Sequence, residues 1–322
     1  MDVLSRLLSL YPVQAVLDYR CQLAAPWRLD EPAVAFGVAP YHLIVEGTAR
    51  IEVADGPTVS LCAGDIVMLP HGNAHCLRTE DVAGASPVRA VTRTQVIPTI
   101  VNDADGMHTG ILCGRFVADG PAPQALLGAL PAVILVRTAG RADLQAIRTL
   151  FALLHQETET LRPGAHAVAS HLASALFSLV LRAWLPQALP MPGLFGLMAD
   201  HRLQHAVAAI LSAPDRGWSV DALARACHMS RATFARLFRQ CAGATPGDML
   251  ARLRMAGAAQ RLVRETRSIA DIGASMGYQS EAAFHRVFKR HFGMGPGRYR
   301  RAHRKGLADG LRAGTAHGTD QN

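Results

Sequence analysis

Two kinds of side chain in this sequence are equipped for chemistry: six cysteines, and two stretches that interleave basic residues with alanine. The cysteines are Cys21, Cys62, Cys76, Cys113, Cys227 and Cys241, with no C-x-x-C pair and no zinc-finger spacing. In a reducing cytosol they are thiols, and most are expected to act as small buried apolar residues. The thiolate is the form that oxidants attack, and a neighbouring cation favours it; Cys21 directly follows Arg20. The second chemistry is recognition. One stretch presents Arg231, Ala232, Ala235, Arg236 and Arg239, the other Glu281, Ala282, His285, Arg286 and Lys289. Arginine can donate twice to guanine O6 and N7, while alanine allows close approach and meets thymine methyl groups.

Both stretches belong to a repeat whose copies open at Ser219 and Ser268. Each copy reads as a short helix, a tight turn and a second helix. Ser219 and Ser268 are placed to cap the first helices, Ser230 and Ser280 the second, by accepting from orphan backbone N–H groups. Phe234, Leu237 and Phe238 fall at i, i+3 and i+4, and Phe284, Val287 and Phe288 repeat that stripe, so each second helix has an apolar anchor opposite its basic face. Met249 to Arg264 reads as one long helix that sets the spacing of the two readers.

Ahead of the repeat the pattern changes twice. From about Val34 to Arg115, short apolar runs alternate with Gly, Pro, Asn and Asp, which predicts an antiparallel barrel. From Arg141 to Leu185, apolar residues recur at helical spacing, broken by Arg162-Pro163-Gly164, which predicts a helical hairpin. The expected fold class is therefore α+β multidomain. The expected bounds are a barrel over 1–137, a helical linker that could dimerise over 138–190, an all-α double helix-turn-helix over 191–304 and a disordered tail over 305–322.

The charge distribution agrees with that division. Residues 1–189 carry 13 Lys+Arg against 16 Asp+Glu, net −3, whereas residues 190–322 carry 20 against 9, net +11. Concentrated positive charge is what a phosphate backbone attracts. The apolar run from Ala175 stops at Arg182, short of the roughly 18–20 residues of a membrane helix, and Met1 to Arg6 lack the features of a secretory signal. The expectation is a soluble cytoplasmic protein whose partner is double-stranded DNA and not a membrane.

The repeat resembles the DNA-binding domain of the AraC/XylS family of transcription regulators, from about His201 to Tyr299. Ile269 to Tyr278, Phe284 to Lys289 and Gly293 to Arg300 follow its signature almost position by position. The resemblance implies base contacts at Ala232, Ala235, Arg236, Ala282 and Arg286, and RNA polymerase as a partner. Upstream, Gly64 to His75 looks like the second motif of a cupin, with His75 facing the barrel interior, and His42 lies where the first motif begins. That first motif offers Tyr41-His42 and lacks a second histidine two residues on, which disfavours a dioxygenase iron site and, with it, an enzyme. The whole chain is similar to cupin-containing AraC-type regulators that respond to reactive chlorine, which implies that Cys21, and Cys113 with it, respond to oxidants. His42 and His75 are either core histidines or, with Cys21, ligands to a transition metal in the barrel. Two other functions stay open: a sensor of a small molecule, with Trp27 and Tyr41 facing the effector, and a cupin enzyme fused to a DNA-binding domain.

Overall fold

A computed structural model describes residues 2–54, 56–85, 87–91, 96–118, 126–159, 162–187 and 191–303; the expected tail lies outside them. The chain divides into two compact units, one formed by residues 12–119 and 123–187, the other by 1–11, 120–122 and 188–322.

The first unit holds two sheets. In the larger, β1 (Gln14–Ala24), β3 (Val38–Glu46), β6 (Ile66–Met68), β8 (Arg89–Val91), β9 (Thr99–Val101), β10 (His108–Val117) and β11 (Ile134–Val136) run in the order β11-β6-β3-β10-β1-β9-β8. In the smaller, β2 (Arg28–Glu31), β4 (Thr48–Val53), β5 (Thr58–Cys62) and β7 (His75–Arg78) run in the order β2-β7-β4-β5. Alternation does the sorting: on β4, Ala49, Ile51 and Val53 are buried while Thr48 is exposed. These side chains join Leu23, Trp27, Ile44, Leu77 and Ile111 in the core between the sheets. Gly47 turns β3 into β4 at φ 74°, a conformation that costs a residue with a side chain, and a Cβ there would collide with the His108 carbonyl.

A bulge between Leu17 and Tyr19 resets the face of β1, so that Tyr19 pairs across from Cys113 and Cys21 from Ile111. The outer face of the large sheet carries the helical hairpin, α2 (Gln145–Glu159) and α3 (Ala165–Trp184), with Gly164 in the left-handed region at the turn. Tyr41 stacks on Phe116 at 4.4 Å, and Phe116 meets Phe177 of α3 at 4.9 Å. The segment read from sequence as a linker is thus packed on the sheet as one compact body with it. By length and composition the helix through Gln187 could cross a membrane, contrary to the expectation from the run ending at Arg182. Its stripe of Ala169, Ala173, Leu176, Phe177, Val180 and Leu181 is buried in the protein instead.

The second unit is helical. It comprises α1 (Val3–Leu10), α4 (Leu194–Ala199), α5 (Gln204–Ser212), α6 (Val220–Ala226), α7 (Arg231–Ala242), α8 (Pro246–Arg264), α9 (Ile269–Ser275), α10 (Glu281–Phe292) and a last helical segment over 296–303. Ser219, Ser230, Ser268 and Ser280 each accept from the backbone N–H three residues on, as expected. Thr245 and Asp248 add a capping box ahead of α8, with Pro246 in the first turn, a position where its missing N–H is not needed. The α1 helix is the surprise. Although it precedes the barrel in sequence, it packs within this unit against α5 and α8. Leu7 is fully buried, Leu10 lies against Gly257, and the Gln260 side chain donates to the Ser9 carbonyl.

Candidate functional site

Inside the barrel, register brings the thiols and imidazoles together. Cys113 of β10 pairs directly with His42 of β3, and His42 Nδ1 lies 3.1 Å from Cys113 Sγ. His75, the first residue of β7 in the opposite sheet, places Nε2 2.7 Å from His42 Nε2. Its Nδ1 lies 2.9 Å from the Asn73 carbonyl. That carbonyl can only accept, so His75 carries its proton on Nδ1 and offers a lone pair at Nε2. His42 therefore donates from Nε2, and its bare Nδ1 accepts from the Cys113 thiol. The result is a directed chain, Cys113 to His42 to His75 to Asn73, which crosses from one sheet to the other. Cys21 sits diagonally from Cys113 on the neighbouring strand, and both thiols are buried on the same face of the sheet, in the core. Tyr19, on the same face of β1, donates its hydroxyl to Glu31 of β2.

The cluster is held uncharged at the thiol and imidazoles. Burial, with His75 alongside, holds the His42 imidazole well below its ordinary range, and burial lowers His75 too. Burial pushes the Cys113 thiol well up, with the Cys21 thiol adding to it. Burial raises the Tyr19 hydroxyl as well. A pH dependence follows. The unfolded imidazoles titrate near 6.5, so below that pH the unfolded chain binds protons that the folded barrel refuses. The stability contributed by the neutral pair is complete above about pH 6.5 and is lost as pH falls through the depressed folded values. Calorimetry is expected to show the barrel melting at steadily lower temperature from about pH 7 to 5, with a shallower slope in His42→Phe. A flat wild-type profile would show that the imidazoles are not buried neutral.

Several sequence expectations change here. Arg20 and Cys21 are neighbours in sequence but face opposite sides of β1, because successive strand residues alternate. Cys21 lies in the core between the sheets, whereas Arg20 bonds Thr99 Oγ1 at 3.0 Å and reaches Glu159 of α2. Arg20 is therefore no activator of that thiol. Tyr41 stacks outward against Phe116, and Trp27 is fully buried core, so neither lines an effector site in the barrel. The His42–His75–Cys21 set does not fit a metal. Two nitrogens bound at 2.0–2.1 Å with tetrahedral angles would stand about 3.4 Å apart, yet these are at hydrogen-bond distance and the other His42 nitrogen is committed to Cys113. Among the described residues, no group of three or more His, Cys, Asp or Glu is disposed to hold a metal ion. Tyr19 and Glu31 were not singled out from sequence; the period-two relation of Tyr19 to Cys21 carried that signal. Cys62, Cys76, Cys227 and Cys241 lie elsewhere, and burial pushes each thiol up, Cys76 to about 11.

In the helical unit, α7 and α10 each bury their aromatic stripe and expose the opposite face. Phe234, Phe238, Phe284 and Phe288 are fully buried. Arg231, Ala232, Arg236, Arg239, Glu281, Ala282, Arg286 and Lys289 are exposed, with Ala235 and His285 half-buried. Arg231 pairs with Asp221 at 3.1 Å and His285 with Glu281 at 3.5 Å. Other arginines of this unit are structural. Arg254 donates to the carbonyls of Pro214 and Arg216, and Arg300 to those of Leu262 and Arg267.

A cupin family model matches residues 2–186, and a helix-turn-helix domain model matches residues 223–302. The chain is 32% identical over 300 residues to the RCS-specific HTH-type transcriptional activator RclR of Escherichia coli strain K12, covering 93% of this chain and 97% of that protein. The chain is a cupin-containing regulator of the AraC/XylS family. Relatives in Neisseria gonorrhoeae and Acinetobacter baylyi support the placement. The HTH-type transcriptional regulator MtrA is 28% identical, over 94% of this chain and 98% of its own length. The regulator AlkR is 31% identical, over 80% and 86%. As a member of this family, the chain is a DNA-binding transcription regulator. The helix-turn-helix match takes in α7 and α10 and the aromatic residues that they bury.

Proposed function

We propose that this AraC-family regulator is an oxidant-responsive activator, in which Cys21 and Cys113 sense hypochlorous acid or an oxidant of that class. The observation that carries the reading is the pair of buried thiols set diagonally on adjacent strands, one joined to the His42–His75 chain. The RclR relative, named as an RCS-specific activator, points the same way. In the reduced state both imidazoles and the Cys113 thiol are neutral, which keeps the unprovoked site quiet. On attack, thiol plus hypochlorous acid gives a sulfenyl chloride and water. The second thiol then displaces chloride, forming the S–S bond and releasing one proton. His42 Nδ1 is positioned to take a proton from Cys113 as its sulfur is attacked. Diagonal strand neighbours lie about 7–8 Å apart between Cα atoms, outside the roughly 4.4–6.8 Å of a relaxed disulfide. Closing the bond therefore draws β1 toward β10, a strain that a two-state protein can use.

The readout is DNA affinity, through the exposed faces of Arg231, Ala232, Ala235, Arg236 and Arg239 and of Glu281, Ala282, His285, Arg286 and Lys289, with RNA polymerase as the partner of an activator in the cytoplasm. Leu153 of α2 and Val168 of α3 are exposed and suit contact with a second copy in a homodimer. In a reporter strain Cys21→Ser is expected to abolish the response to hypochlorous acid with the protein folded and at normal abundance, and Cys113→Ser to abolish it as well if the disulfide is the signal. A Cys21→Ser protein that responds fully would reject the thiol switch.

A further inference from the structure

The outer face of β1 poses a separate problem. Arg20 is 7% exposed, and a guanidinium taken out of water is destabilising unless its N–H groups are answered. Nε is answered by Thr99. Nη1 is buried with no hydrogen-bond partner. The nearest carboxylate, Glu159 Oε1 on α2, stands 3.6 Å away, beyond hydrogen-bonding range, and is shared with His155 at 3.2 Å. Beside the guanidinium opens a cavity of about 530 Å³ between the sheet and α2, lined among others by Arg20, Val101, Asn102, His108, Leu112 and His155. That volume falls in the range of small-ligand sites, and the mixture of apolar wall with a few convergent polar groups is what such sites use.

We propose that this cavity binds a small monocarboxylate, its carboxylate on Arg20 and its apolar part along Val101 and Leu112. The guanidinium fork matches a planar carboxylate, and a charge-assisted pair supplies the missing acceptor. Glu159 selects the charge. One negative group can share the guanidinium with it, whereas a phosphate dianion meets a second negative charge at the same place. Arg20 and Cys21 are back to back on one strand, so a ligand on the outer face bears on the same β1 as the thiols. The binding site itself is independent of the thiol reading.

The test uses the purified full chain, with butyrate, benzoate and inorganic phosphate as probes in calorimetric titration and thermal shift. Butyrate or benzoate is expected to bind and raise the melting temperature, while phosphate does not. Glu159→Gln, at a half-exposed position, removes the competing carboxylate and is expected to tighten the carboxylate several-fold. Arg20→Gln is expected to abolish binding, and Glu159→Gln keeps the test decisive should Arg20→Gln fail to fold. The proposal is overturned if neither carboxylate binds, if phosphate binds as well as they do, or if Glu159→Gln leaves the affinity unchanged.

Discussion

Phe288→Ala is expected to unfold the second helix-turn-helix unit, with a loss of about 3–5 kcal/mol. Phe288 is fully buried, and it is the hub of an aromatic cluster. Its ring lies 5.5 Å from Phe284, 4.6 Å from Phe292 and 5.3 Å from Tyr299. Truncation removes the transfer free energy of the ring and leaves a cavity that three rigid neighbours cannot easily close, which places the loss toward the upper end of that range. Phe238 in the first unit is equally buried, but among the described ring contacts it meets only Phe234, at 5.5 Å. Phe238→Ala is therefore expected to cost less. Urea unfolding followed by helical ellipticity, alongside operator binding, separates the two. A Phe288→Ala midpoint equal to wild type would show that the cluster is not the anchor of α10.

Loss of Arg236 and Arg286 together, the proposed base readers, is expected to have the other large effect. Arg236→Ala and Arg286→Ala are each expected to cost roughly 1–3 kcal/mol of operator affinity and to relax preference at one base pair. For separated positions such costs add approximately, so the double variant is expected to bind on the order of 10²–10⁴-fold more weakly. Arg236 makes only a 3.5 Å contact with Gln240, and Arg286 lies with Lys289 along an open groove beside Ala282, so both are free to turn toward a base edge. Arg254→Ala is the matched control. Its guanidinium holds the 214–216 turn, so its loss lowers stability without altering which base is preferred. Anisotropy titrations on a selected operator at fixed salt check this. Unchanged binding in the double variant would mean that another face of the domain enters the groove.

The helix-turn-helix domain was legible in the sequence because its determinants are local. Four serine caps and the i, i+4 phenylalanines act within one or two turns, and the structure returns them where the spacing puts them. The barrel cluster was only half legible. His42, His75, Cys21 and Cys113 could be named one at a time, but the bond from His42 to Cys113 joins residues 71 apart and depends on the β3–β10 register. Which way Arg20 points was available from alternation alone, and sequence adjacency to Cys21 concealed it. Nothing local marks α1 as part of the helical unit. Its apolar residues would suit any groove, and the one it fills is assembled from α5 and α8.

That placement makes the DNA-binding unit discontinuous, with a consequence for biosynthesis. Ser9 meets Gln260 across a separation of 251 residues. At roughly 5–20 residues per second, a ribosome takes on the order of 10–50 s to make the chain between them. For that interval the first helix has left the exit tunnel, with Leu7 and Leu10 unburied and no groove to receive them. The barrel strands that follow it can pair as they emerge, but the reader of DNA is completed only when the last part of the chain returns to the first.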